Sequence, residues 1–150
     1  SMLKKLLSSG YPAEYALRSL NSLLVLTDRP GAVTIDLVQL HLNTGKGTLY
    51  KWGAVPSYVV GSLGVRKVGS ATPPPGLSVT EIQESREEVS LRRGESLVLV
   101  SDGIPEEDAQ QCCARGQSLT PPELATQLIS RGEQSGPDDA TVVIVRLENR

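Results

Sequence analysis

Residues 96–103 read Ser-Leu-Val-Leu-Val-Ser-Asp-Gly, an apolar run that ends in a hydroxyl, a carboxylate and a glycine. The apolar part has the length and the branched side chains of a buried strand. A carboxylate at the end of such a strand projects into a cleft, and the glycine lets another backbone approach closely. We therefore expect Asp102 to stand at the edge of a sheet.

A second acidic segment, residues 136–141 (Gly-Pro-Asp-Asp-Ala-Thr), comes just before the last apolar run of the chain. If the two apolar strands are antiparallel neighbours, the end of the first and the start of the second lie at the same sheet edge. Asp102 and Asp138 then meet there. Carboxylates gathered in a cleft repel one another unless a hard cation such as Mg²⁺ or Mn²⁺ joins them.

The same residues also have a purely structural interpretation. Asp102 is placed to cap a helix that starts near Pro105, and Asp138 with Asp139 is typical of a plain turn. The single histidine, His41, sits in a predicted strand next to a hairpin and has no nucleophile or metal ligand beside it in the pattern. On the residues alone, a cation site and an ordinary turn both remain open.

Helices are predicted at both ends of the chain. Leucine and alanine spacing indicates helices over residues 2–9 and 12–27, with a stop at residues 28–31. A third helix opens at Pro105 and closes near Gly116. A fourth begins with a capping box of Thr120 and Glu123, and we expect Gly132 to end it.

Strand patterns fill the middle. Three hairpins are predicted, pairing residues 33–42 with 48–52, 57–60 with 65–68, and 87–91 with 96–100. A proline-rich loop, residues 71–76, interrupts them. The last strand, residues 141–147, is apolar on both faces, which predicts a covered sheet. This order of elements is typical of an α+β layered domain rather than of alternating βαβ units.

The composition excludes several classes of protein. The 15 Lys and Arg residues are balanced by 17 Asp and Glu residues, so no basic surplus exists for binding nucleic acid. No apolar stretch approaches the roughly 18 residues of a membrane span. The adjacent Cys112 and Cys113 make neither an unstrained disulfide nor a zinc site, and are expected as buried thiols of a reduced cytosolic protein. The length fits one domain over residues 1–150, with Ser1-Met2 interpreted as a cloning scar.

Seven short motifs occur in an order that resembles the phosphatase domain of bacterial stage II sporulation protein E, a branch of the metal-dependent Ser/Thr protein phosphatases (the PPM superfamily). They are residues 21–24 (Asn-Ser-Leu-Leu), 34–37 (Thr-Ile-Asp-Leu), 50–57 (Tyr-Lys-Trp-Gly-Ala-Val-Pro-Ser), 75–77 (Pro-Gly-Leu), 93–95 (Arg-Gly-Glu), 101–103 (Ser-Asp-Gly) and 138–141 (Asp-Asp-Ala-Thr). Each motif is short, and their order and spacing carry the resemblance over nearly the whole chain.

The resemblance implies an α-β-β-α sandwich, in which two antiparallel sheets face each other and helices flank them. It also implies two Mn²⁺ or Mg²⁺ ions in a cleft at the sheet edge, holding a water that attacks the phosphorus of phosphoserine directly. Matched by motif, Asp102 and Asp138 are the metal aspartates, and Asp139 stands behind them without touching the metal.

The implied substrate is a phosphorylated anti-anti-sigma-type protein, whose dephosphorylation controls the release of a sigma factor in sporulation. The family's parent is a membrane protein with its phosphatase in the cytoplasm. We therefore expect this chain to be a cytoplasmic domain of a parent anchored in the inner membrane.

One family motif is missing. An early Asp-Gly-x-Gly, whose aspartate bridges both metals in the family, does not occur among these 150 residues. We expect a C-terminal part of the domain that lacks the opening strands, with weak or absent metal binding and little activity. Uncovered sheet edges then favour self-association, as in a homodimer. The alternatives are a non-catalytic partner-binding module with a degenerate phosphatase fold, and a plain α+β interaction domain with structural acidic turns.

Overall fold

In the computed structural model the described residues are 2–26, 34–69 and 85–148. The predicted stop at residues 28–31, the proline loop at 71–76 and the motif at 75–77 lie outside them. The helices are α1 (Met2–Ser8), α2 (Ala13–Leu26), α3 (Glu106–Arg115) and α4 (Pro121–Ser135). The strands are β1 (Ile35–Leu40), β2 (Lys46–Trp52), β3 (Ser57–Gly61), β4 (Gly64–Val68), β5 (Ser85–Ser90), β6 (Ser96–Val100) and β7 (Val142–Arg146).

These strands form two antiparallel sheets. One has the order β1-β2-β5, and the other has the order β4-β3-β6-β7. Two predicted hairpins, β1 with β2 and β3 with β4, are confirmed by their registers. The strand alternation of period two decides which face each side chain takes.

Three apolar clusters show how the layers stack. Leu49 of β2 packs with Val59 of β3 and Leu97 of β6, so this cluster lies between the two sheets. The neighbouring residues of the same strands face outward: Tyr50 and Trp52 pack on α2, whereas Tyr58 and Val98 pack on α3 and α4. The predicted α-β-β-α sandwich of two antiparallel sheets flanked by helices is therefore confirmed, and Trp52 is a core residue.

The third predicted hairpin is wrong. β5 pairs with β2 in one sheet and β6 pairs with β3 in the other, so the turn between them crosses from sheet to sheet. Leu91 and Leu97 both face the inter-sheet cluster. Two strands that contribute to the same core have the same hydrophobic pattern whether they are hydrogen-bonded in one sheet or lie in two facing sheets. The sequence therefore does not distinguish a hairpin from a crossing between sheets.

Two further details differ from expectation. Among the described residues β7 lies at the edge of its sheet, and its Val143 is 50% exposed, so they do not cover both faces of the sheet there. α4 continues past Gly132 to Ser135. Gly132 is buried within the helix, and a Cβ there would lie 2.8 Å from the Cβ of Ala140. Glycine at this position therefore allows α4 to pack closely against Ala140, and it does not end the helix.

The other helix predictions hold. α3 ends at Arg115 with Gly116 as its C-terminal cap, and Thr120 and Glu123 form the reciprocal capping box at the start of α4. Cys112 and Cys113 are buried and make no disulfide. Burial raises the pKa of the Cys113 thiol to about 12, so this thiol is not ionised at neutral pH. Within the described ranges, no helix has the length and apolarity needed to span a bilayer.

Candidate active site

The acidic edge is where β6 ends and β7 begins. Val100 pairs with Val142, so the two strands are the antiparallel neighbours that the sequence analysis required. The backbone N–H of Ser101 donates to the carbonyl of Thr141 at 3.0 Å, and the N–H of Thr141 donates to the Ser101 hydroxyl at 2.9 Å. These two bonds join the segment carrying Asp102 to the segment carrying Asp138 just beyond the sheet.

Gly103 brings the two acidic segments into contact. The N–H of Ile104 donates to the carbonyl of Ser101 at 3.2 Å, which closes a tight turn around Asp102. A Cβ added at Gly103 would clash with the carbonyl oxygen of Asp139. The position therefore requires glycine for space. Asp102 does not cap α3: the residue before that helix is Pro105, and no side chain caps it.

Replacing Gly103 with alanine is expected to lower the free energy of unfolding by about 1–3 kcal/mol, because backbone must move to admit the methyl group. The same displacement would push the Asp102 and Asp138 segments apart. Urea denaturation measures the loss. Gly136→Ala is the matched control, since a Cβ there meets nothing within 4 Å and its backbone is extended. Equal urea midpoints for the two variants would contradict the close approach.

A cavity of about 200 Å³ opens beside this edge, between the two sheets. Its walls come from β1, from the segment after β2, and from the ends of β6 and β7. The lining residues are Thr34, Asp36, Gly53, Ala54, Val55, Leu99, Val100, Ser101, Asp102, Thr141 and Val143. Asp102 thus faces the cavity, whereas Asp138 and Asp139 are exposed on the adjoining segment and are not part of the lining.

The opposite wall carries a charged pair that the sequence analysis missed. Lys51 Nζ donates to Asp36 Oδ1 at 2.5 Å, and the Lys51 side chain is completely buried. Burial raises the pKa of Asp36 and lowers the pKa of Lys51, while their mutual hydrogen bond opposes both shifts. A hydrogen bond between an ammonium and a carboxylate is charge-assisted and favours the charged form of each partner.

The sequence signal for this pair depends on the exact register. The predicted hairpin has its turn at residues 43–47, centred on residue 45, whereas the observed register is centred between residues 43 and 44 and makes Asp36 and Lys51 direct partners. Both also fall on the apolar face of their strands, with Val38 and Leu49 as neighbours on that face. Opposite charges at facing core positions indicate a buried ion pair.

The ligand atoms at this edge are of the type that a hard divalent cation binds, but the side chains that supply them are few. Carboxylate and hydroxyl oxygens are the ligands that Mg²⁺ and Mn²⁺ prefer, and the edge offers the carboxylates of Asp102 and Asp138. In the part of the chain that the structure describes, no group of three or more His, Cys, Asp or Glu side chains is arranged to hold a metal ion. With two carboxylates, most of the coordination positions of such a cation would be left to water or to groups outside the described residues.

Comparisons with known proteins agree on one family. The family model for stage II sporulation protein E (SpoIIE) matches residues 1–148. The stage II sporulation protein E of Bacillus subtilis (strain 168) is 30% identical over 163 aligned positions, which cover 99% of this chain and 20% of that protein. The chain therefore spans about a fifth of that relative's length.

Solved structures give the same result. A manganese-presoaked structure of the phosphatase domain of the B. subtilis cell fate determinant SpoIIE is 28% identical, with a TM-score of 0.65 over 99% of this chain and 71% of that one. A structure of its PP2C phosphatase domain with a fragment of the regulatory domain reaches a TM-score of 0.80 at 28% identity, over 97% of this chain and 48% of that one.

Proposed function

Because this chain belongs to the stage II sporulation protein E family, we propose that it forms part of a metal-dependent phosphatase domain that hydrolyses phosphoserine in a protein. The observation that supports the proposal is the joining of two acidic segments at one sheet edge, through Ser101 and Thr141. The similarity to a solved phosphatase domain over 99% of the chain supports the same proposal. We treat residues 1–150 as a single part of that domain.

In the proposed mechanism, the carboxylates of Asp102 and Asp138 would hold Mn²⁺ or Mg²⁺. A bound pair of these cations would supply a water of lowered pKa and positive charge for the phosphoryl oxygens. The backbone of Asp139 packs against Gly103 and fixes the spacing of the two segments. We propose that the Asp139 side chain supports the ligands without touching the metal. Val55, Leu99 and Val143 give the cavity an apolar wall beside Asp102.

The finer assignment follows the family. We propose that the substrate is a phosphorylated anti-anti-sigma-type regulator and that its dephosphorylation releases a sigma factor during sporulation. The reaction would take place in the cytoplasm, with the parent protein anchored in the inner membrane. We also propose that the 150-residue chain dimerises, since the exposed edge strand β7 is able to pair with another chain.

A non-catalytic function is the second candidate. It is favoured by the absence of Asp-Gly-x-Gly from these 150 residues and by the lack of a third clustered ligand among the described residues. In that case the fold binds a phosphoprotein partner without turning it over.

A phosphatase assay with Mn²⁺ and a phosphoserine protein separates the two candidates. The longer natural protein that contains this chain is expected to release phosphate, to stop when EDTA removes the metal, and to resume when Mn²⁺ is restored. The 150-residue chain alone is expected to release little or none, because it lacks the bridging carboxylate. A longer protein that binds the phosphoprotein but never hydrolyses it would favour the non-catalytic module. Fast turnover by the 150 residues alone would contradict the metal ligands assigned above.

A further inference from the structure

The buried pair of Asp36 and Lys51 lies at the cavity, on the side opposite Asp102. The two residues are direct partners in the β1–β2 ladder. Lys51 is two residues from Leu49 and therefore shares its face, which packs between the sheets. The pair thus closes one end of the inter-sheet space. Asp36 remains 18% exposed towards the cavity, whereas the Lys51 side chain has no exposed surface.

Lys51 also holds the segment that follows its own strand. Its Nζ donates to the carbonyl of Val55 at 2.6 Å. Residues 53–55 line the cavity and lead into β3, which pairs with β6, the strand that ends two residues before Asp102. One ammonium group therefore ties β1 to the segment that crosses from one sheet to the other.

The surrounding backbone is shaped to admit the lysine. Gly69 has a φ of +83°, and a Cβ there would clash with the aliphatic stem of Lys51. The N–H of Gly69 donates to Glu87 Oε2 at 2.6 Å, which holds this backbone over the stem. The ammonium is consequently fixed from the side as well as at its tip.

Stability alone does not require charges at these positions, since an apolar pair of similar volume is often as stabilising as a buried ion pair. An apolar pair, however, cannot form a directional hydrogen bond to the carbonyl of Val55. We propose that Asp36 and Lys51 are positioning residues for the reaction, which hold residues 53–55 as a fixed cavity wall opposite Asp102. The catalytic part of this inference rests on the proposed function.

The test uses the double variant Asp36→Leu/Lys51→Met, which keeps the volume and removes both charges. Backbone ¹⁵N relaxation is measured on the 150-residue chain, and kcat and KM for a phosphoserine protein with Mn²⁺ are measured on the longer natural protein. We expect order parameters at residues 53–55 to fall from about 0.85 to below about 0.6. We expect kcat to fall at least tenfold, with KM changed much less. Lys67→Met is the matched control, because Lys67 forms an exposed pair with Glu106.

Asp36→Asn is the second variant, in case the double variant does not fold. It retains an acceptor for Lys51, and we expect smaller changes in the same direction. Unchanged order at residues 53–55 in a folded variant would overturn the inference, whatever the activity. Increased motion with unchanged kcat would overturn the catalytic part. A wild-type protein that is inactive with Mn²⁺ would refute the proposed function and the catalytic part with it, while the relaxation data would still decide whether the pair holds this wall.

Discussion

Asp102→Asn is expected to lower kcat/KM of the Mn²⁺-dependent reaction by at least about 100-fold in the longer natural protein. Substitution of a residue that only orients a metal ligand already lowers metal affinity or activity by about 10–100-fold, and substitution of a ligand itself should lower it more. The neutral amide keeps the shape of the side chain but no longer balances the metal charge. Steady-state kinetics with a phosphoserine protein at several Mn²⁺ concentrations measure the loss.

Three further variants make this result specific. Asp138→Asn should reproduce the loss, whereas Asp139→Asn should have a smaller effect, since we propose that Asp139 does not touch the metal. Glu107→Gln, on the exposed surface of α3, should change nothing. Asp102 is exposed and caps no helix, so the Asp102→Asn protein should unfold within about 0.5 kcal/mol of wild type. Full activity with unchanged Mn²⁺ affinity in Asp102→Asn would remove this residue from the metal site.

The parts of the fold that sequence predicts well are those decided locally. The capping box of Thr120 and Glu123 satisfies backbone N–H groups within one turn, so it identifies the start of α4 without any tertiary information. The β1–β2 and β3–β4 hairpins each have strands joined by short turns, which leaves little choice of partner. The antiparallel β6–β7 pair also brings the segments that carry Asp102 and Asp138 to one end of the sheet, while the sharing of a cation by their carboxylates stays a prediction.

The parts that sequence does not predict depend on which sheet a strand joins. The turn at residues 91–95 looks like a hairpin, yet Leu91 and Leu97 pack between the sheets from opposite sides. Gly132 looks like a helix stop, yet it admits Ala140. Lys51 has a long charged side chain that would ordinarily reach solvent, and its hydrogen bonds to Asp36 and to the carbonyl of Val55 help to account for its burial. In each case a distant element overrides the local preference.

Lys51→Met is expected to lower the free energy of unfolding by about 3–5 kcal/mol at pH 7, because it leaves the carboxylate of Asp36 buried beside an apolar side chain. Lys67→Met removes an ammonium from an ion pair of the same length, 2.5 Å, but its partners are 45% and 50% exposed. That control should cost less than about 1 kcal/mol. Urea denaturation of both variants measures the difference.

The pH dependence identifies Asp36 as the source of the loss. Burial raises the folded-state pKa of this carboxyl above its ordinary value of 3.8, and removing the ammonium takes away the interaction that opposed the rise. Between the two pKa values the folded state of Lys51→Met binds more protons than the unfolded state, so its stability increases as the pH falls through the folded-state pKa. The difference in the free energy of unfolding between Lys51→Met and wild type should therefore become smaller as the pH is lowered from 7 towards 4. Asp36→Leu/Lys51→Met has no carboxyl to titrate there and should show no such recovery. If the stability difference between Lys51→Met and wild type does not depend on pH, lost packing rather than an unpaired carboxylate destabilises the variant.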